Sequence, residues 1–263
     1  MPAPLTSPQN PRVKQVVRLR DRRHRDREGL LLVEGAFELA LALASGARPQ
    51  TVYYCPALAP DAGDLLAKAI QAGAEAIQVS APVFEKMAYR KNSDGVLGVL
   101  PAVRRGLDSL PAGDLPLYIV AEAVEKPGNL GALLRSADAA GATGVIMCDP
   151  ATDLSNPNVV RSSRGTLFTV PIAEASTAET TAWLRARQVT IVAATPQASL
   201  LYTQADLRGP VAIVVGAEDE GLTPAWLAQA NITVRVPMHG LVNSLNVATA
   251  AALLVYEALR QRA

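Results

Sequence analysis

The sequence predicts an α/β protein in two parts, a small α/β unit followed by a larger layer built on a parallel sheet. Three observations carry that expectation. Short apolar runs alternate with helix-like segments along much of the chain. A stretch rich in proline and glycine, Pro101–Pro116, interrupts the alternation. Beyond it, Leu117–Ala121 is a near-continuous apolar run, the pattern of a parallel strand covered on both faces. With 263 residues, 49% of them hydrophobic and 19% charged, the chain has material for a packed core and no composition of wholesale disorder. These features place a first domain at residues 1–105, a linker at 106–116 and a second domain at 117–263.

The elements follow in order. Leu30–Val33 reads as a short buried strand, and an Ala/Leu-rich helix runs from Gly35 to near Gly46. Thr51–Cys55 is a second strand, Asp61–Ala72 a helix closed by Gly73, and Ala76–Val79 a third strand. Pro82–Tyr89 is helical and Gly95–Leu100 is a fourth strand. In the second half, Asn129–Ala140 is a helix with Leu130, Leu133, Leu134 and Ala137 on one stripe and Gly141 as its stop. Strands follow at Gly144–Cys148, Val189–Ala194, Val211–Val215 and Ile232–Val236. Helices lie at Thr177–Arg187 and Pro224–Ala230, the latter with Thr223-Pro224 as cap and first position. Ser244–Arg260 is a long closing helix. In such a layer, ligands sit beyond the carboxyl ends of the strands.

Charge and cysteine content narrow the function classes. The net charge of +1 hides a basic segment, since residues 1–30 hold eight arginines and lysines against three acidic side chains. Such a segment is the footprint of a phosphate-binding surface, or else a solvated helix carrying both signs. Two widely separated cysteines, Cys55 and Cys148, exclude a disulfide scaffold and a Cys-based zinc module. No signal-peptide-like run opens the chain, and Val236–Tyr256 carries too many polar residues for a bilayer span, so a soluble cytoplasmic protein without membrane partners is expected.

Three segments carry the chemistry. Glu125–Gly141 joins a strand to a helix. Gly128 and Gly131 allow close backbone approach there, and Asn129 can cap the helix. Arg135 interrupts a Leu/Ala helix; it is either an ordinary surface arginine or a guanidinium aimed at a phosphate or ribose. The spacing is neither a dinucleotide fingerprint nor a Walker loop. Val214–Leu222, VVGAEDEGL, brackets Glu218, Asp219 and Glu220 with Gly216 and Gly221. That is either a turn capping a helix or a bare-backbone pocket in which Glu218 accepts hydrogens from a neutral or cationic ligand. Val236–Arg262 places Ser244 and Asn246 in an otherwise apolar first turn, and the helix behind them is apolar nearly all round, as if buried on more than one side, against a second subunit for instance. His239 reads as a loop histidine, and no metal site is expected.

In this order, the three segments resemble the SpoU (TrmH-type) branch of the SPOUT superfamily of RNA ribose methyltransferases. PGNLGALLRSADAAGATGVIM is similar to its first motif, VVGAEDEGL to its second and VPMHGLVNSLNVATAAALLVYEA to its third. The N-terminal part, SPQNPRVKQVVRLRDRRHR through LLVEG and Ser93–Val99, resembles the substrate-binding domain of that family, itself similar to small ribosomal RNA-binding proteins. The resemblance implies a trefoil-knotted parallel-sheet methyltransferase domain, an exception to the rule against threaded chains. It implies S-adenosylmethionine held by Thr195, Gly216, Glu218, Val236, Met238 and Leu245. It also implies a homodimer and a catalytic set of Asn129, Arg135, Glu218, Ser244 and Asn246. RNA affinity is expected from Arg12, Lys14, Arg18, Arg20, Arg22, Arg23 and Arg25.

The implied reaction is transfer of a methyl group to a ribose 2′-oxygen, with Arg135 either the proton acceptor or a phosphate and ribose clamp. Large-subunit ribosomal RNA is the expected substrate, with transfer RNA as the alternative. A non-catalytic RNA-binding protein of the same fold and a nucleotide-dependent oxidoreductase are the rival readings; the missing phosphate fingerprint counts against the latter.

Overall fold

The computed structural model describes residues 4–90, 92–217 and 220–263. They form two compact units, and the division is not a single cut. Residues 1–103 and 153–169 make the first unit, and residues 104–152 and 170–263 make the second.

The first unit opens with two short helices, α1 (Pro11–Arg18) and α2 (Arg22–Glu28). Asn10 caps α1 by accepting from the Arg12 N–H, with Pro11 in the first turn. Asp21 caps α2 through the Arg23 N–H, and Gly29 ends it in the left-handed conformation. Then come β1 (Leu30–Glu34), α3 (Ala36–Ala44), β2 (Thr51–Tyr54), α4 (Gly63–Gln71), β3 (Glu75–Gln78), α5 (Ala81–Met87) and β4 (Val96–Pro101). The sheet order is β1-β4-β2-β3, with β4 antiparallel to both β1 and β2 and β2 parallel to β3. Val13, Val16 and Leu19 of the basic segment pack with Leu32, Tyr53, Phe84 and Met87 in the core. The charged opening of the chain is therefore folded onto the sheet by an apolar stripe.

The second unit starts earlier than a linker reading places it. Residues 104–116 belong to it, with a 3-10 turn at Leu107–Ser109. Leu110 is buried beside Tyr118 and Trp183, and the Tyr118 hydroxyl donates to the Pro111 carbonyl at 2.7 Å. β5 (Leu117–Glu122), α6 (Pro127–Ala139) and β6 (Gly144–Cys148) follow. The chain then leaves for the first unit, where it forms α7 (Pro157–Ser162), packed on β1, and α8 (Thr166–Thr169), packed on α3. The sequence shows no elements in that stretch, because its helices are too short to display a period. Between α7 and α8, Gly165 has φ +85°, and a Cβ there would lie 3.1 Å from the Leu41 Cβ. Only glycine lets this turn lie so close to α3.

Back in the second unit lie β7 (Ile172–Ala175), α9 (Thr177–Ala186), β8 (Thr190–Ala194), β9 (Leu200–Leu201), β10 (Val211–Val215), α10 (Pro224–Gln229), β11 (Ile232–Arg235) and α11 (Val247–Arg262). Every pairing is parallel, in the order β7-β6-β5-β10-β8-β11-β9. All residues of β5, β6 and β10 are buried, which is why these strands read as unbroken apolar runs. From β5 the chain steps outward through β6 to β7. It then returns to the other side, and β10 takes the place between β5 and β8. The closing helix begins at Val247, later than the expected Ser244, because Asn246 is its cap and accepts from the Ala248 and Thr249 N–H groups. That helix lies against α6, β10 and β5. No helix among the described residues is long and apolar enough to cross a membrane.

Candidate active site

A parallel sheet puts the carboxyl ends of all its strands on one edge, and here three loops gather there. The turn after β8, the loop after β10 and the segment from β11 to α11 enclose a cavity of about 420 Å³. Thr195, Gly216, Val236, Met238 and Leu245 all line it, as does Ser244. Glu218, expected both to bind cofactor and to act in catalysis, lies outside the described residues, as does Asp219.

Each wall has a local cause. The Thr195 N–H donates to the Val234 carbonyl at 2.9 Å, extending the β8–β11 ladder into the turn, and its hydroxyl is hydrogen-bonded to the Gln197 side chain. Gln197 also lines the cavity, although in the sequence it looks like any loop glutamine. Gly216 is glycine for a reason internal to the loop. A Cβ there would sit 2.3 Å from the Gly221 carbonyl carbon and oxygen, so the chain folds back on itself at this point. The Gly221 N–H closes that fold by donating to the Ala217 carbonyl at 2.9 Å.

The same loop is pinned from below by a residue that the sequence motifs do not mark. Glu122, the last residue of β5 and 3% exposed, accepts from the Thr223 N–H at 2.9 Å and from its hydroxyl at 2.7 Å. Thr223 therefore does not cap α10 with its side chain, as its place before Pro224 predicted; its hydroxyl is spent on Glu122. The available signal was a carboxylate ending an otherwise apolar strand, LYIVAE, where burial demands partners.

The segment Pro237–Leu245 makes no hydrogen bond among the described residues. Its N–H and C=O groups have no intramolecular partner and are open to solvent or to a ligand. At its end, the Asn246 side-chain amide donates to Asn129 Oδ1 at 2.8 Å, joining the starts of α11 and α6. Arg135 stands six residues along α6, about 9 Å further on by helical rise, exposed and without a hydrogen bond or ion pair among the described residues. The fold brings Asn129 and Asn246 together and sets Ser244 on the cavity, while Arg135 touches none of them. His239 is an exposed loop residue. Burial pushes the Cys148 thiol up to about 12, so it is inert as a nucleophile near neutral pH. Among the described residues no group of three or more His, Cys, Asp or Glu side chains could hold a metal.

The chain matches the SpoU rRNA Methylase family model over residues 116–256. The chain belongs to that family. An MRM3-like substrate binding domain model matches residues 10–98 of this SpoU-family chain. A 23S rRNA (uridine(2479)-2'-O)-methyltransferase of Streptomyces viridochromogenes is 32% identical over 253 residues, covering 93% of this chain and 87% of its own. A crystal structure described as an RNA 2'-O ribose methyltransferase is 41% identical, covers 99% of both chains and has a TM-score of 0.84. A third relative is the AdoMet-bound rRNA methyltransferase from Sinorhizobium meliloti, 32% identical over 98% of this chain and 97% of its own, with a TM-score of 0.91.

The expected RNA-facing cations divide in the structure. Lys14, Arg18 and Arg23 are exposed. Arg12 is exposed too, but pairs with Glu75 at 2.7 Å, and Arg22 lies 3.5 Å from Asp26. Arg20 turns inward and donates to the Lys86 and Ala88 carbonyls at 2.8 and 2.6 Å. Arg25 corrects the expectation outright: it is 2% exposed, pairs with Asp153 at 2.8 Å and donates to the Leu19 and Arg20 carbonyls. Its guanidinium is used up inside the unit, where an unpaired charge would be costly, so it does not face RNA.

Proposed function

We propose that this SpoU-family protein transfers a methyl group from S-adenosylmethionine to a ribose 2′-hydroxyl of large-subunit ribosomal RNA. One observation carries the reading: the loop-lined cavity at the strand ends of the second unit holds every described residue expected to bind the cofactor. Its volume of about 420 Å³ falls within the roughly 300–1,000 Å³ of small-molecule and cofactor sites. The fit is also chemical, since the open backbone groups of Pro237–Leu245 and the polar ends of Thr195, Gln197 and Ser244 can serve an amino acid, a ribose and an adenine edge.

When bound, S-adenosylmethionine supplies an electrophilic methyl on a sulfonium that leaves as a neutral thioether without acid assistance. The protein has to hold the ribose 2′-hydroxyl in line with that methyl and see its proton removed as the new C–O bond forms. Arg135 is assigned to the ribose and its phosphate. A guanidinium keeps its proton at pKa values above roughly 12, so clamping is the role its chemistry favours over that of a base. Asn129 and Asn246 tie the two helix starts so that Arg135 and Ser244 keep a fixed spacing.

A homodimer is part of the proposal. It is supported by the exposed apolar side chains Leu253 and Tyr256 of α11, neighbours on one surface hollow that a second subunit would cover. The knot is likewise proposed, supported by the placement of β10 between β5 and β8 and by the return of α11 to α6. A cytoplasmic setting accords with the two buried free cysteines. Single-turnover methylation of ribosomal RNA by an Arg135→Lys variant tests the clamp. Strongly slowed transfer with unchanged uptake of S-adenosylmethionine is expected; wild-type rates would remove Arg135 from the mechanism.

A further inference from the structure

We infer that Glu220 makes the cavity selective for charge, favouring the cationic methyl donor over the neutral thioether left after transfer. The inference rests on S-adenosylmethionine being the cofactor. Among the described residues that line the cavity, Glu220 alone carries a charged side chain. The other walls are apolar, as at Ala194, Leu222 and Val247, or polar and neutral, as at Thr195, Gln197 and Asn243. Glu220 is exposed and has no hydrogen bond or ion pair among the described residues. Glu122, which pins the same loop, is buried and committed to Thr223. Of these two carboxylates, Glu220 is the one with negative charge to spare for a ligand.

The loop fixes where that charge stands. Ala217 and Gly221 bridge as antiparallel neighbours, and Gly221 takes φ +71° to turn the chain, so Glu220 is held just before a closed turn. In the sheet, β10 lies between β5 and β8. Its loop therefore runs between the Thr195–Gln197 wall, after β8, and the start of α6, after β5, where Asn129 meets Asn246. The methyl must face an acceptor on the Asn129 side, and the loop carrying Glu220 is the wall next to that side. S-adenosylmethionine carries a sulfonium, an ammonium and a carboxylate. S-adenosylhomocysteine keeps the last two and loses the sulfonium charge with the methyl. A carboxylate beside the sulfur attracts the first and not the second, so the hold weakens with the transfer itself and spent cofactor exchanges for fresh donor.

The test is calorimetric titration of the full chain with S-adenosylmethionine, S-adenosylhomocysteine and sinefungin, in which a carbon bearing an ammonium group replaces the methylated sulfur. Glu220→Gln keeps the size of the side chain and removes its charge. It should weaken S-adenosylmethionine roughly threefold to tenfold, weaken sinefungin at least as much, and leave S-adenosylhomocysteine unchanged. Glu220→Asp, which keeps the charge, should preserve the wild-type preference. Equal weakening of donor and product, as a lost contact to the shared ammonium or a distorted loop would give, would overturn the inference. Unaltered affinity for all three ligands, or an aspartate variant that behaves like the glutamine one, would do the same. Failure of the cofactor assignment is distinct: the wild-type chain would then take up none of the three.

Discussion

In the first unit several cations are spent within the protein, whereas in the second the polar groups around the cavity are left open. Arg25 is buried in a pair with Asp153, Arg20 is bound to two carbonyls and Arg12 to Glu75. Around the cavity, by contrast, the backbone of Pro237–Leu245 has no intramolecular partner among the described residues, and Glu122 and Gly216 only shape the wall. The difference teaches that a count of charges says little about what a surface offers. What marks a site is polar capacity that the fold does not consume.

Substitutions can sharpen or break this contrast. The largest effect is expected at Gly216. A Gly216→Ala change drives a Cβ into the backbone of Gly221, and we expect uptake of S-adenosylmethionine, measured calorimetrically, to fall by about two orders of magnitude or more. Next is Arg25→Ala, which leaves Asp153 unpaired. It should destabilise the protein by about 3–5 kcal/mol in urea unfolding while leaving the salt slope of RNA binding unchanged. If it instead lowered that slope and spared stability, the contrast would fail. Glu122→Ala should cost about 1–3 kcal/mol by orphaning the Thr223 N–H, and should weaken cofactor uptake through the loop.

A smaller effect concerns pH. Hydrogen bonds from Arg260, then from Gln261, hold the Glu257 carboxyl down to about 2 from its ordinary 4.5. A depressed folded-state value means stability that is complete above about 4.5 and lost as pH falls toward 2. Glu257→Gln should flatten the stability profile across that window. The least effect is expected from Arg18→Gln: a slightly shallower salt dependence of RNA binding, by about 0.7–0.9 per phosphate contact removed, with stability unmoved.

Much of this organisation is legible in the sequence. The apolar runs of β5, β6 and β10 announce a parallel sheet because burial on both faces leaves no alternation, and Asn246 and Ser244 stand out against an apolar helix. The rest was hidden for identifiable reasons. Helices α7 and α8 are too short to display a period, so the passage of residues 153–169 into the first unit could not be read. The burial of Arg25 depends on Asp153, far along the chain, and a long-range partner leaves no local mark. The role of Glu122 leaves no local mark either, because its donors come from Thr223 in the loop after β10. Gly216 stands out in the sequence as a bare-backbone position, and its small size serves the turn back to Gly221 beside the cavity it lines.

The most direct trial is mass spectrometry of nucleosides from unmodified ribosomal RNA incubated with the protein and isotopically labelled S-adenosylmethionine. The account predicts label on a ribose 2′-oxygen of a large-subunit nucleotide, lost when Arg135 is replaced by alanine. Label on a nucleobase, or cofactor uptake with no labelled ribose in any ribosomal RNA, would contradict it.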